Sequence, residues 1–292
     1  MFIDRLCPLP SGIALNVRRP GPSPPAAEGT APPFLLVHGL ASNARLWDGV
    51  ASTLAELGHP VAAVDLRGHG HSDKPDDGYD VATVADDVAL LVDELGWERP
   101  AVAGQSWGGN VVMELAYRHP GAVGMVAAVD GGVIDLHRRF PHWEDCAVAL
   151  APPRLAGTPR AEIERRLRDA HPDWPDGGIE ATLANFQDFE DGTVAPWLTF
   201  DRHLLVLRGL WEHDVSTRFP AIGAPVLLLP ADTGDSAWTT DKQAAVDAAL
   251  AALPHGAAHW FRPADHDVHA QHPAEVARVL HEAAVEHLSG AR

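Results

Sequence analysis

The stretch Gly104-Gln105-Ser106-Trp107-Gly108-Gly109 places a serine hydroxyl between glycines two residues before it and two after it. A serine hydroxyl becomes an effective nucleophile when a neighbouring base takes its proton and a third group orients that base. The stretch follows a short apolar run and precedes a helical pattern over residues 110–118. A strand that turns this sharply into a helix leaves almost no room for side chains near the serine, so glycines fit there. We therefore predict that Ser106 is a catalytic nucleophile at a helix N-terminus, which favours a developing oxyanion.

The base is expected in the loop after the last predicted strand, Pro263-Ala264-Asp265-His266-Asp267-Val268-His269. His266 is the preferred general base and acid, and His269 and His272, nearer the final helix, are its rivals. The same three histidines could be metal ligands. However, their spacing matches no recognised zinc site and no separate carboxylate accompanies them. We therefore predict no metal and no cofactor.

Three aspartates compete for the role of orienting the base. Asp235 is preferred because its loop follows the predicted strand at residues 226–229, which fits the chain order serine, acid, histidine. The alternatives are Asp232 in the same loop and Asp130 at the end of the predicted strand 125–129. All three could lie at the carboxyl ends of strands, where parallel sheets place their ligands. Any of them could instead form a turn or cap a helix.

Two backbone N–H groups are expected to bind the oxyanion. One belongs to Trp107, directly after the nucleophile, and the other to Leu40, in the loop after the predicted strand 34–37. Gly39 would let the backbone approach the substrate, and the His38 side chain is expected to make structural hydrogen bonds. The Trp107 ring is expected to border the acyl pocket.

These residues need elements that bring them together. Apolar runs alternate with helical patterns at the spacing of βαβ units, which predicts an α/β fold with a mostly parallel sheet covered by helices. The runs lie at residues 34–37, 61–64, 101–103, 125–129, 226–229 and 259–261, after an edge hairpin (2–7 and 13–18) and a surface loop (20–33). The predicted helices include 46–57, 81–95, 160–170, 179–189, 240–253 and 273–288.

Residues 133–219 interrupt this alternation, apart from an apolar run at 204–207. Helical patterns alternate there with prolines, so we predict a helical insertion. The expected division is a core of residues 1–132 and 220–292 and a cap of residues 133–219. Four tryptophans of this segment could line a pocket or hold the segment together: Trp143, Trp174, Trp197 and Trp211.

With these motifs the chain resembles the α/β-hydrolase superfamily. His38-Gly39-Leu40 looks like the HG-x oxyanion loop of that family, and the segment from Asp65 to Asp73 resembles its D-x-R-G-x-G-x-S-D motif, in which Asp65 and Arg67 are expected to stabilise their own loop. The resemblance implies a serine triad beneath a cap.

The chain departs from the family pattern at two positions. Asp265 stands where the family usually has glycine before the catalytic histidine, and Asp235 lies one residue late for the usual G-x-x-D acid loop. Some relatives place the acid after the strand that here ends at Asp130. The choice among the three aspartates therefore stays open.

The predicted activity is that of a serine hydrolase, which cleaves an uncharged carboxylic ester or lactone through an acyl-enzyme. C–C bond hydrolases and haloperoxidase-like perhydrolases use the same triad and are alternatives. A non-catalytic small-molecule receptor is a third alternative, in a different class. Dehalogenases and epoxide hydrolases of the family use an aspartate nucleophile, which Ser106 argues against.

The composition of the chain limits the classes of partner that we expect it to bind. The formal charge of −18 disfavours nucleic acid and anionic membranes. No apolar run reaches the length of about 18 residues that a membrane span needs, and the N-terminus lacks a signal-peptide core. We therefore expect a cytoplasmic protein with reduced Cys7 and Cys146 and no membrane partner. The sequence does not predict an oligomeric state.

Overall fold

The computed structural model of the chain describes residues 1–21, 31–234 and 236–288, without the side chains of residues 236–238. Most of the predicted surface loop 20–33 lies outside the described residues. So does Asp235, the preferred acid.

Strands and helices alternate through the first part of the chain. In chain order the elements are β1 (Phe2–Pro8), β2 (Ala14–Pro20), β3 (Phe34–Val37), α1 (Asp48–Glu56), β4 (Val61–Val64), α2 (Val81–Glu94), β5 (Ala101–Gln105), α3 (Trp107–Arg118) and β6 (Met125–Val129). A 3₁₀ turn, Ala44–Trp47, precedes α1.

The middle of the chain consists of shorter elements. They are α4 (Leu136–Arg139), α5 (Trp143–Ala149), β7 (Thr158–Pro159), α6 (Arg160–Ala170), α7 (Asp176–Leu183), β8 (Phe186–Asp188), β9 (Thr193–Pro196) and α8 (Phe200–Glu212), followed by 3₁₀ turns at Val215–Thr217 and Phe219–Ala221.

The alternation of strand and helix then resumes. The remaining elements are β10 (Val226–Leu229), α9 (Ser236–Ala252), β11 (Gly256–Ala258), α10 (Val268–Gln271) and α11 (Pro273–Leu288).

One sheet of eight strands runs through the core in the order β1-β2-β4-β3-β5-β6-β10-β11. The pairs β1–β2 and β2–β4 are antiparallel, and all other neighbours are parallel. Every residue of β3, β4, β5, β6 and β10 is buried, as expected for strands covered on both faces. Two large apolar clusters fill the space between this sheet and the helices. The predicted fold class is therefore confirmed.

Several element boundaries differ from the prediction. The last strand is Gly256–Ala258, ahead of the predicted 259–261, and Phe261 makes only a single parallel bridge to Ala231. The predicted helix 179–189 is wrong in its second half, because α7 ends at Leu183 and β8 follows. The apolar run 204–207 lies inside α8 and contributes to its packed face.

The inserted segment, residues 133–219, contains a three-stranded sheet in the order β7-β9-β8, so it is not purely helical. Its apolar cluster includes Trp174 and Ile179 and packs on Leu46 and Ala270 of the remaining chain. Asn43 adds a hydrogen bond from its Nδ2 to the carbonyl oxygen of Ala181, at 2.9 Å. Within the described residues, no helix combines the length and apolar content needed to cross a membrane.

Candidate active site

Ser106 lies between β5 and α3 with φ 52° and ψ −121°, in a region that residues other than glycine rarely occupy. A Cβ atom on Gly104 would overlap the carbonyl oxygen of Gly108, and one on Gly108 would overlap that of His38. A Cβ atom on Gly131 would overlap the carbonyl oxygen of Ser106 itself. The strained turn therefore depends on the glycines predicted from the sequence and on Gly131, which the sequence analysis missed.

His266 comes close to this turn from the other end of the chain. The Nε2 of Gln105, the residue before the serine, donates to the carbonyl oxygen of His266 at 3.3 Å. The His266 side chain is 54% exposed, so its ring is open to a substrate.

The imidazole of His266 contacts Asp130. Its Nδ1–H donates to Oδ2 of Asp130 at 2.6 Å, and the Asp130 side chain is only 3% exposed. A carboxylate can only accept this hydrogen bond, so Nδ1 carries the proton and Nε2 keeps a lone pair. This is the tautomer that a general base needs.

The protonation of the two groups follows from their surroundings. Burial acts to raise the pKa of Asp130, but the hydrogen bond from His266 and the charges of His266 and Lys242 outweigh it and lower that pKa. Burial acts to lower the pKa of His266, but the hydrogen bond to Asp130 and the charges of Asp267 and Asp130 raise it. Asp130 is thus an ionised partner that favours the imidazolium form.

Of the candidate acids within the described residues, Asp130 and Asp232, only Asp130 contacts His266. Asp232 accepts hydrogen bonds from the Gly234 N–H at 2.8 Å and from Thr239 Oγ1 at 2.6 Å, and it pairs with Arg262. The Nδ1–H of His266 is thus bonded to Asp130, the alternative acid after β6, whereas the role of Asp235 stays a prediction. Asp235 itself lies outside the described residues.

The loop after β3 passes directly behind the serine. A Cβ atom on Gly39 would lie 3.0 Å from the Cβ of Ser106 and would overlap Gln105. Within the described residues the Leu40 N–H has no hydrogen-bond acceptor, and the Trp107 N–H begins α3, where first-turn amides lack helical partners. Both amides are therefore available to an oxyanion.

Two buried histidines fix this loop. The Nδ1–H of His38 donates to the carbonyl oxygen of Gly39 at 2.7 Å, and its Nε2 accepts from the Leu66 N–H at 3.0 Å. His69 Nε2 accepts from the N–H of Ala41 at 3.3 Å. Burial lowers the pKa of both rings, so both remain neutral acceptors. The structural role expected for His38 agrees with these contacts. His69 was missed, because only its position in space links it to Ala41.

The Trp107 ring was expected to border the acyl pocket, and it is not among the residues that line the cavity beside Ala41. It is fully buried and stacks on His69, with ring centroids 5.5 Å apart. This cavity, of about 540 Å³, lies between Ala41, His69 and the inserted segment. Its lining is mostly apolar and includes Trp197.

The other three tryptophans of the inserted segment have other contacts. Trp143 and Trp211 pack against each other, with ring centroids 6.0 Å apart. The indole Nε1–H of Trp174 donates to Oδ2 of Asp265 at 3.0 Å, and Nδ1 of His171 lies 3.3 Å from the same oxygen. Asp265, the residue that departs from the family pattern, thus ties the His266 loop to the inserted segment.

The rival histidines lie in different surroundings. His269 is fully buried against Trp47, with ring centroids 4.4 Å apart, and burial lowers its pKa to about 3. His272 ends α10. Among the described residues, no group of three or more His, Cys, Asp or Glu side chains is placed to hold a metal ion.

Comparisons with known proteins identify the family of the chain. A model of the α/β hydrolase fold matches residues 32–168. The chain is 30% identical to an esterase of Mycobacterium tuberculosis over 243 residues, which cover 74% of this chain and 71% of that protein. Uncharacterized proteins of Mycobacterium bovis and Mycobacterium tuberculosis are 41% identical over 104 residues, but the match spans only 30% of their length.

Among solved structures, that of E-2-(acetamidomethylene)succinate hydrolase superposes with a TM-score of 0.75 and covers 99% of both chains. Its sequence identity is 23%, so it shows a shared fold alone. The esterase match extends over most of both proteins, and on that basis the chain belongs to the α/β-hydrolase family.

Proposed function

We propose that this member of the α/β-hydrolase family is a serine hydrolase that cleaves an uncharged carboxylic ester or lactone through an acyl-enzyme. The observation that carries the proposal is the hydrogen bond of 2.6 Å between His266 and Asp130, beside the strained turn that presents Ser106. A structural histidine would not need a buried, ionised partner together with an exposed ring.

In the acylation step, Nε2 of His266 takes the proton of Ser106 as its Oγ attacks the substrate carbonyl carbon. Asp130 holds the ring and stabilises the imidazolium that forms. The N–H groups of Leu40 and Trp107 receive the negative charge that develops on the carbonyl oxygen.

The tetrahedral intermediate collapses when His266 returns its proton to the leaving oxygen. An alcohol departs, or in a lactone the ring opens and the alcohol remains attached to the acyl group. Water then attacks the acyl-enzyme, with His266 again acting as base, and Ser106 is released with a carboxylic acid product.

The cavity beside Ala41 supports a largely apolar substrate, because most of its lining is apolar, although Arg154 and Arg166 also line it. Its lining includes Ala41, the residue after the proposed oxyanion donor Leu40, and its volume of about 540 Å³ can hold a medium-sized organic group. His203 also lines it, and burial lowers the pKa of that ring to about 4, so it offers hydrogen bonds without charge. We further propose that the inserted segment acts as the cap of this site and that the enzyme works in the cytoplasm, without metal, cofactor or macromolecular partner.

The named relatives are consistent with this class, since one of them is an esterase. The direct test is hydrolysis of nitrophenyl esters of increasing acyl length and of simple lactones. We expect turnover by the wild type and none by Ser106→Ala. Ser216→Ala, which changes an exposed serine in a 3₁₀ turn, is the matched control and should keep full activity.

Full esterase activity in Ser106→Ala would contradict the proposal. Ligand binding without turnover in the wild type would instead favour the receptor class. If the protein cleaves C–C bonds or catalyses perhydrolysis faster than it hydrolyses esters, Ser106 remains the proposed nucleophile, but the proposed ester or lactone substrate is wrong.

A further inference from the structure

The acid of the proposed triad has a second partner, the ammonium group of Lys242. Its Nζ donates to Oδ1 of Asp130 at 2.7 Å and lies 2.9 Å from Oδ2. The same nitrogen donates to the carbonyl oxygen of Ala231 at 2.5 Å, while the Ala231 N–H donates to Oδ1 at 2.9 Å. Lys242 and Ala231 therefore both hold Oδ1 of the carboxylate, and Lys242 also contacts Oδ2, the oxygen that accepts from His266.

A cation at this position weakens one effect that is expected of a triad acid. The acid stabilises the imidazolium that forms during the reaction, and a lysine that shares the same carboxylate weakens this stabilisation. The chain has two lysines, Lys74 and Lys242. Lys242 is placed where its positive charge disfavours the protonation of His266. A second negative charge that acts on His266 would compensate for this effect of Lys242.

The compensating group is Asp267, the residue after His266. Its negative charge acts on the His266 ring in addition to that of Asp130, and both raise the pKa of His266, whereas Lys242 lowers it. Burial raises the pKa of Asp267 itself. The charges of two carboxylates therefore act on the imidazole, and the charge of the ammonium group offsets part of their effect.

We propose that Lys242 is a positioning residue of the triad. Its ammonium group keeps the Asp130 carboxylate ionised and aligned on His266. It also offsets part of the charge of Asp267, so that a larger fraction of His266 is neutral in the resting enzyme than the two carboxylates alone would allow. This inference rests on the function proposed above.

The other charged groups near His266 are already engaged. Asp265 is bonded to Trp174 and His171 of the inserted segment, and buried His269 is neutral. Arg262, on the same loop, pairs with Asp232, and its side chain is 47% exposed. Arg262 therefore serves as the matched control, a cation nearby that does not contact Asp130.

The effect of Lys242 is moderated by water. Its side chain is 28% exposed and borders a cavity of about 430 Å³, and charges that water can reach are partly screened. We therefore expect a clear but limited change in the behaviour of His266 when the charge is removed.

The first experiment follows the ring of His266 by NMR in Ser106→Ala protein with isotope-labelled histidine, the signal being assigned by its loss in His266→Gln. Lys242→Met should move the titration midpoint of this ring to higher pH, and Lys242→Arg should restore it in large part. Arg262→Met should leave it unchanged. An unchanged midpoint in folded Lys242→Met protein would overturn the proposal.

A double-mutant cycle tests the same claim even if one of the single variants is less stable than the wild type. Asp267→Asn should move the midpoint to lower pH, and the double variant Lys242→Met/Asp267→Asn should return it close to the wild-type value. If the double variant instead titrates like Lys242→Met, the two charges do not offset each other and the proposal fails.

Kinetics complete the test. In Lys242→Met we expect kcat/KM to be lower about fivefold or more near pH 6 and within about twofold of the wild type near pH 9, because each pH unit of midpoint shift is worth tenfold. A loss that is equal at all pH values would indicate a merely structural role and would overturn the proposal. Since the NMR titration is made in Ser106→Ala, it remains decisive even if the wild type proves to have no esterase activity.

Discussion

Asp130 and His266 are separated by 136 residues in the chain, yet Oδ2 of one and Nδ1 of the other lie 2.6 Å apart. Asp130 follows β6 with a positive φ of 41°, and its carboxylate contacts His266 in the loop after β11. β6 lies between β5, which carries the serine turn, and β10 in the sheet. The order of the strands therefore brings Asp130 and Ser106 to the same edge of the sheet.

The first prediction concerns the identity of the acid. Asp130→Asn should lower kcat by about 10⁴-fold, because an amide in place of the carboxylate favours the wrong tautomer of the histidine. Asp232→Asn and Asp235→Asn should remain within about threefold of the wild type, because the Nδ1–H of His266 is already bonded to Asp130. Circular dichroism should show all three variants folded. A large loss in Asp235→Asn with full activity in Asp130→Asn would return the role to Asp235.

A second prediction concerns Gly131, whose place against Ser106 leaves no room for a methyl group. Gly131→Ala should cost roughly 1–3 kcal/mol of stability or displace the serine turn, since overpacking forces the backbone to shift. We expect a lower Tm or a loss of turnover above tenfold. Gly223→Ala adds the same methyl group where nothing lies within 4 Å and should change neither property.

A third prediction concerns pH. Only the neutral ring of His266 can accept the serine proton, so kcat/KM should rise with pH through the pKa of His266. Because burial is outweighed by Asp130 and Asp267, that pKa lies above its ordinary value of 6.5, and the rise should be centred above 6.5. Asp130 has a lowered pKa and stays ionised over this range. A rise centred clearly below 6.5 would show that another group controls the rate.

A fourth prediction concerns the link between the inserted segment and the His266 loop. Trp174→Phe keeps an aromatic ring but removes the indole N–H that donates to Asp265. Hydrogen exchange of the backbone should therefore quicken around residues 265–271. Trp211→Phe removes a comparable bond, from its indole to the carbonyl oxygen of Phe140, within the inserted segment. It should leave exchange in the His266 loop unchanged, and equal effects of the two variants would contradict the link.

Much of this architecture could be predicted from the sequence because the signals are local. Buried parallel strands such as β3 and β6 are short continuous apolar runs, and the glycines around Ser106 reflect sterics within a few residues. The position of His266 follows from its loop before the final helix.

The remainder depends on contacts between distant parts of the chain. No local pattern indicates that Lys242 reaches Asp130 or that His69 accepts from Ala41. The acid was ranked by loop position, whereas the direction of the Asp130 side chain depends on a positive φ that the sequence does not reveal. The small sheet in the inserted segment was missed because its strands are short and partly exposed.

The measurement that tests the central claim most directly is the intact mass of the protein after incubation with a fluorophosphonate, followed by peptide mapping. An activated serine should give one adduct, on Ser106, at a rate that falls sharply in His266→Gln and Asp130→Asn but not in Asp232→Asn. Ser106→Ala should give none. Folded wild-type protein that forms no adduct, or that forms it at the same rate without His266 or Asp130, would contradict the account.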